Sequence, residues 1–213
     1  AHGDLTLEQA LWHSCNMTFA QITLEIGAGT LQKYAEKAGF NSSLEVNGIK
    51  TAAGRVDVLG AEPQELAWAG IGQYSDTANP LSFMAYMGAI ANDGVRISPV
   101  ILRNGGKSDA IPGLAGNGKR ILSDETADIL GKMMRNAVIN VYGEKNYGGL
   151  KLCAKSGTAE VGGGKTPHAW FAGFLDRDDC PFAFVVVVEN GGSGARVAGP
   201  VAAKVLKAAV NRS

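Results

Sequence analysis

The sequence predicts an α+β fold, an antiparallel sheet with helices packed around it. Three observations lead there. Late in the chain, residues 149–160, 168–176 and 182–189 are apolar or alternating stretches joined by short turns, the pattern of an antiparallel meander. Upstream, apolar residues recur at helical spacing, as in Phe83, Met84, Met87 and Ile90. Capping patterns mark where several helices begin.

Taken in order, Thr6 with Gln9 forms a capping-box pattern, so a short helix is expected to run to about His13. A second helix follows the Ser14-Cys15-Asn16 corner, with Phe19, Ile22 and Ile26 inward and Gly27 ending it. This puts Ser14 and Asn16 between two helices, a rigid place from which to aim side chains. Residues 30–38 form a third helix, stopped by Gly39, whereas residues 40–62 are turn-rich and predict little regular structure. Pro63 opens a helical turn to Ala69, and Asn79-Pro80 opens a helix to Ala91. Residues 95–102 read as extended, and residues 104–118, rich in Gly and Asn, as a mobile loop. Ser123 caps a long helix to about Val138, with Ile129, Leu130, Met133, Met134 and Ala137 as its apolar face. Gly199-Pro200 starts a terminal helix with Val201, Val205, Leu206 and Ala209 inward.

The 213 residues suffice for one domain with a real core, and 46% apolar with 19% charged residues is ordinary for a globular chain. Twenty basic residues balance twenty acidic ones, which argues against nucleic acid as a partner. No apolar run approaches a membrane span, and residues 1–9 read as a polar helix entry rather than a signal peptide. Cys15, Cys153 and Cys180 are expected as free thiols, and the three histidines share no metal-ligand spacing with them. No metal and no cofactor are predicted.

The chemistry gathers at Lys155-Ser156-Gly157-Thr158, at the end of the first meander strand. An ammonium, two hydroxyls and a glycine that permits close approach suit an anion. About 140 residues upstream stands Ser14-Cys15-Asn16. A Ser-x-Asn followed far downstream by Lys-Ser/Thr-Gly accompanies a Ser-x-x-Lys nucleophile in penicillin-binding proteins and serine β-lactamases. The chain thus resembles the transpeptidase domain of a penicillin-binding protein of the class lacking a glycosyltransferase. The resemblance also runs through residues 5–11, Gly70-Ile71-Gly72-Gln73 and Trp170-Phe171-Ala172-Gly173-Phe174.

The resemblance implies a β-lactamase/transpeptidase-like sheet and acyl transfer from stem peptides ending in D-Ala-D-Ala, with β-lactams acylating the same serine. On matching positions, Lys155, Ser156, Gly157 and Thr158 would bind the substrate's terminal carboxylate, and the Thr158 N–H would be one oxyanion donor. Ser14 would relay a proton and Asn16 would hydrogen-bond a substrate carbonyl. A serine β-lactamase or D,D-carboxypeptidase of the same fold is the alternative. Ser14 and Asn16 also suit the simpler role of capping the helix that follows, and Lys155 that of a solvated strand-end lysine.

No lysine in the chain has a serine three positions before it; the nearest approach is Thr30-Leu31-Gln32-Lys33. The run FAFVVVV (residues 182–188) is apolar on both faces, as in a strand with neighbours on both edges. Both features are expected of residues 1–213 as the C-terminal part of the domain, truncated before the nucleophile and unable to form an acyl-enzyme alone. Its partners would be peptidoglycan stem peptides and β-lactams, and an open sheet edge would offer a surface for a homodimer. The whole protein is expected outside the cytoplasmic membrane and anchored to it.

Other residues carry weaker expectations. Cys15 should be a buried packing residue. Cys153 shares a strand face with Lys155 and would border the cleft, while Glu160 would either touch the cleft or be solvated. Trp170 and Phe171 are expected in the core and cleft wall. Residues 159–166 (AEVGGGKT) match a relaxed phosphate-binding loop, but such a loop must open a helix, and here Pro167 and a strand-like run follow.

Overall fold

The computed structural model describes residues 2–99 and 118–212. The predicted loop at residues 104–118 therefore lies outside the described residues except for Gly118, as does the end of the predicted extended segment, residues 100–102. The helices are α1 (Leu7–Trp12), α2 (Asn16–Ile26), α3 (Ala28–Ala38), α4 (Pro63–Ala69), α5 (Pro80–Ala91), α6 (Asp124–Ala137) and α7 (Gly199–Val210). Two-residue strands β1 (Glu45–Val46) and β2 (Ile49–Lys50) make a small hairpin, and β3 (Val95–Arg96) pairs with β4 (Lys119–Arg120). The main sheet joins β5 (Leu152–Ala159), β6 (His168–Leu175) and β7 (Ala183–Val188) in the antiparallel order β5-β6-β7. This is the meander the alternation predicts.

Helix ends follow the capping chemistry. Thr6 and Gln9 complete a reciprocal capping box on α1, and Ser123 accepts the Thr126 N–H at the start of α6. Gly39 ends α3 at φ 87, the left-handed region where a side chain would be strained. Three apolar faces turn differently from the expectation. On α2 the buried residue is Thr23, packed where a Cβ on Gly70 would lie 2.0 Å from its hydroxyl, and Ile26 is exposed. On α6, Ile129 is exposed and the buried face is Ala127, Met134 and Ala137. On α7, Val201 and Val205 are exposed, and Ala202, Ala203 and Leu206 face the core. Small residues let a helix lie close to its neighbour, so alanine rather than valine marks the contact line here.

Two packed clusters flank the sheet. One centres on fully buried Phe171, with Leu152, Val138, Tyr147 and Leu206. The other sets Met87, Ile90 and Met134 of α5 and α6 against Ala172, Phe174 and Cys153. Cys153 is therefore a core residue, not a cleft residue as expected. Burial pushes its thiol up to about 12, leaving it inert as a nucleophile.

After α6 the chain continues as a π-helical turn, Val138–Gly143, and a short 3-10 turn, Glu144–Asn146. Arg135 pairs with Glu144 and donates to the Leu152 carbonyl at 3.3 Å, fixing this turn against the start of β5. That pairing holds the Glu144 carboxyl below its ordinary value. Asn136 donates to Glu8 at 2.7 Å, so α1 is tied to the same helix. Among the described residues no helix is long and apolar enough to cross a membrane.

Gly173 has no room for a side chain, since a Cβ there would stand 2.0 Å from the Cys153 carbonyl oxygen and 2.8 Å from the Ala154 Cα. Gly173→Ala should cost on the order of 3 kcal/mol by overpacking. Thermal unfolding should then begin about 6–12 °C lower; an unchanged midpoint would contradict this packing.

Candidate functional site

The Ser14 corner is built by a sharp reversal between helices. Ser14 takes φ 50, and its N–H donates to the Leu11 carbonyl at 3.1 Å. A left-handed serine is uncommon and costs on the order of 1 kcal/mol. Cys15 is buried as expected, and its N–H donates to the Ala10 carbonyl at 2.9 Å, anchoring the turn. Asn16 is not between the helices as predicted. It is the first residue of α2, and its side chain is exposed.

Across the site, Lys155 of β5 donates to the Ser14 hydroxyl and, at 2.8 Å, to the Ser156 carbonyl. The two corners named by the sequence therefore meet. The capping alternative for Ser14 is not realised, because its hydroxyl is taken by Lys155 and the N-cap position of α2 is Cys15, which makes no side-chain capping bond. Lys155 is half-buried, and among the described residues no carboxylate lies within salt-bridge distance of it. An ammonium held this way keeps its charge available for an anion.

Ser156 is held by a tyrosine that no motif pointed to. The Tyr142 phenol lies 3.0 Å from the Ser156 hydroxyl and accepts the Ser156 N–H at 3.0 Å. Its ring packs edge-on against Phe171, with centroids 5.5 Å apart. Gly157 faces Trp170, where a Cβ would come within 3.3 Å of the tryptophan Cβ. A second π-helical turn, Gly194–Ala198, lies over this strand pair. A Cβ on Gly194 would be 2.3 Å from both the Gly157 and Trp170 carbonyl oxygens.

Thr158 is exposed at the strand end. Its carbonyl accepts from Gln73 at 3.2 Å and its hydroxyl accepts from the Gly194 N–H at 3.4 Å. Ser14 and Ser156 also line a cavity of about 920 Å³, shared with Trp12, Tyr142, Arg196 and Lys204. Asn16, Lys155, Gly157 and Thr158 are not in its wall. Glu160 is exposed, the solvated outcome. Trp170 is half-buried and packs against Phe83, centroids 6.0 Å apart, while Phe171 is fully buried. Residues 160–167 link β5 to β6, so Lys165 and Thr166 lead into a strand and the phosphate-loop reading has no helix to use.

The Lys-Ser-Gly-Thr run lies within β5, starting at its fourth residue and not at its end as expected, and with the Ser-x-Asn corner it defines a penicillin-recognising fold; comparison with known proteins agrees. The penicillin binding protein transpeptidase domain family matches residues 1–207. The chain belongs to that family. It is 26% identical over 217 residues to the peptidoglycan D,D-transpeptidase PbpA of Mycobacterium tuberculosis, covering 97% of this chain and 44% of that protein. It is 23% identical over 236 residues to the peptidoglycan D,D-transpeptidase MrdA of Salmonella typhimurium, covering 96% of this chain and 38% of that protein. Among solved structures, the imipenem acyl-enzyme complex of penicillin-binding protein A from M. tuberculosis superposes with a TM-score of 0.82 at 28% identity, over 97% of this chain and 47% of that one. The D,D-transpeptidase domain of a peptidoglycan glycosyltransferase from Eggerthella lenta gives 0.80 at 29% identity, over 97% and 53%. The chain thus spans less than half the length of these curated relatives.

Beside the site, one oxygen of Asp76, in the turn that carries Gln73, is buried without a hydrogen-bond partner. Burial raises its pKa from 3.8 to about 6. A carboxyl whose folded pKa lies above its unfolded one favours folding when protonated, so stability falls as pH rises from about 4 through 6. Asp76→Asn should gain about 1 kcal/mol over the parent at pH 7.5, allowing for solvent screening, and lose that advantage near pH 3.5. Urea unfolding at the two pH values measures it; an equal difference at both would contradict the assignment.

Proposed function

We propose that this chain is the C-terminal portion of a serine D,D-transpeptidase that cross-links peptidoglycan, with its nucleophilic Ser-x-x-Lys on a segment preceding residue 1. Three features support the placement: the family's lysine and serine-asparagine motifs are present, no Ser-x-x-Lys is, and the 920 Å³ cavity lies beside Ser14 and Ser156. The outer edge of β7, unpaired among the described residues, and exposed Val201 and Val205 of α7 are further surface that an upstream segment would cover.

In this reading the serine oxygen bonds to the carbonyl of the penultimate D-Ala, and the peptide bond to the terminal D-Ala breaks. The departing amine takes a proton through Ser14, and the amine of a second stem then accepts the acyl group. Lys155, with the hydroxyls of Ser156 and Thr158, holds the terminal carboxylate, and Asn16 bonds a substrate carbonyl. The Thr158 N–H and the nucleophile's own N–H stabilise the oxyanion, each donor being worth roughly 3–4 kcal/mol. β-Lactams acylate the same serine. The whole protein works outside the cytoplasmic membrane, anchored by a segment elsewhere in it. The observation that carries this reading is the Lys155 ammonium, bonded to Ser14 and unpaired with any carboxylate among the described residues.

Fluorescent penicillin should label the full protein covalently, and Lys155→Ala should slow labelling at least about 100-fold, since it removes an anchor that acts on the reacting ligand. Persistence of the label for hours fits a transpeptidase, and rapid loss fits the β-lactamase alternative. Absence of labelling in the parent protein would refute acyl-serine chemistry.

A further inference from the structure

Tyr142 lies outside both motifs yet holds a motif residue, Ser156. It sits in the π-helical turn Val138–Gly143, a widened turn of a kind frequent at functional sites. Val138 of the same turn is fully buried, and the Tyr142 ring is pinned edge-on by Phe171, which in turn stacks on Tyr147 at 5.8 Å. The phenol therefore has little freedom. Its oxygen meets two groups of one residue, the Ser156 N–H and the Ser156 hydroxyl, each at 3.0 Å.

The donor count restricts how the protons can be arranged. A phenol has one proton to give, and its oxygen accepts the backbone N–H. When an anion accepts from the Ser156 hydroxyl, that proton is committed to the anion. Tyr142 must then donate to the Ser156 oxygen. The result is a chain running from the Ser156 N–H through the Tyr142 O–H and the Ser156 O–H to the anion. Each link polarises the next, strengthening the terminal donor. Without the phenol, the Ser156 hydroxyl rotates freely and loses the backbone polarisation.

We propose that Tyr142 is a positioning residue for substrate recognition: it orients and polarises the Ser156 hydroxyl toward the ligand's carboxylate, through a closed relay from the Ser156 backbone N–H. The inference rests on the acyl-transfer reading given above, and it predicts an effect on binding rather than on the chemical step. The relay lies on the side of Ser156 that faces the cavity, where Arg196 adds a further positive charge.

The test follows acylation of the full protein by benzylpenicillin over a range of concentrations, separating the binding constant from the acylation rate constant. Tyr142→Phe keeps the ring on Phe171 and removes one oxygen, and an unchanged thermal midpoint would show that the fold is kept. The relay predicts a binding constant weakened about fivefold to tenfold and an acylation rate constant within about twofold of the parent. On a Ser156→Ala background, Tyr142→Phe should add nothing, because the hydroxyl it acts on is gone. An unaltered binding constant, or the same loss with and without the Ser156 hydroxyl, overturns the relay and leaves acyl transfer standing. A parent protein that forms no acyl-enzyme overturns the acyl-transfer reading, and the relay with it.

Discussion

One ammonium joins two segments 141 residues apart in sequence. Lys155 reaches from the middle of β5 to the hydroxyl of Ser14, and the rest of the fold holds those two atoms together. Charged groups taken out of water cost free energy unless they are paired or hydrogen-bonded. Lys155 meets that demand with a hydroxyl and a carbonyl, and among the described residues no carboxylate neutralises its charge. A lysine serving stability alone gains more from an ion pair, and the proposed carboxylate ligand would supply that partner here.

The precision comes from α6. Asn136 grips Glu8 of α1, which fixes the helix leading into the Ser14 turn. One residue earlier, Arg135 bridges Glu144 and the Leu152 carbonyl, which fixes the π-helical turn and the first residue of β5. Both halves of the site are thus referenced to one helix turn. The sheet supplies the other constraint. β5 and β6 pair along all eight residues, and Gly173 and Gly194 let backbone approach backbone where a methyl group would collide.

Much of this was legible in the sequence because it is encoded locally. The Thr6–Gln9 capping box, Gly39 at the end of α3 and the alternation of the three main strands each depend on residues a few positions apart. The pairing of Ser14 with Lys155 is not local, and only the resemblance to a family linked them. Tyr142 carries no sequence signature, because a tyrosine after an amphipathic helix is ordinary; its contact with Ser156 depends on the π-helical turn that holds it. The expected apolar faces differ from the observed ones where small residues make the contact. Thr23 is buried on α2 because Gly70 comes close to it, and alanines line the contact on α7 while Val201 and Val205 remain outside. Cys153 departs from expectation for a related reason: sharing a strand face with Lys155 says nothing of where helices α5 and α6 cover that face.

A crystal structure of the protein tests the central claim most directly, through the position of the Lys155 Nζ atom. It should lie within about 3 Å of the Ser14 Oγ, with no carboxylate beside it. A Lys155 side chain turned toward solvent or paired with an acidic residue, with the Ser14 hydroxyl capping α2 instead, would contradict the account.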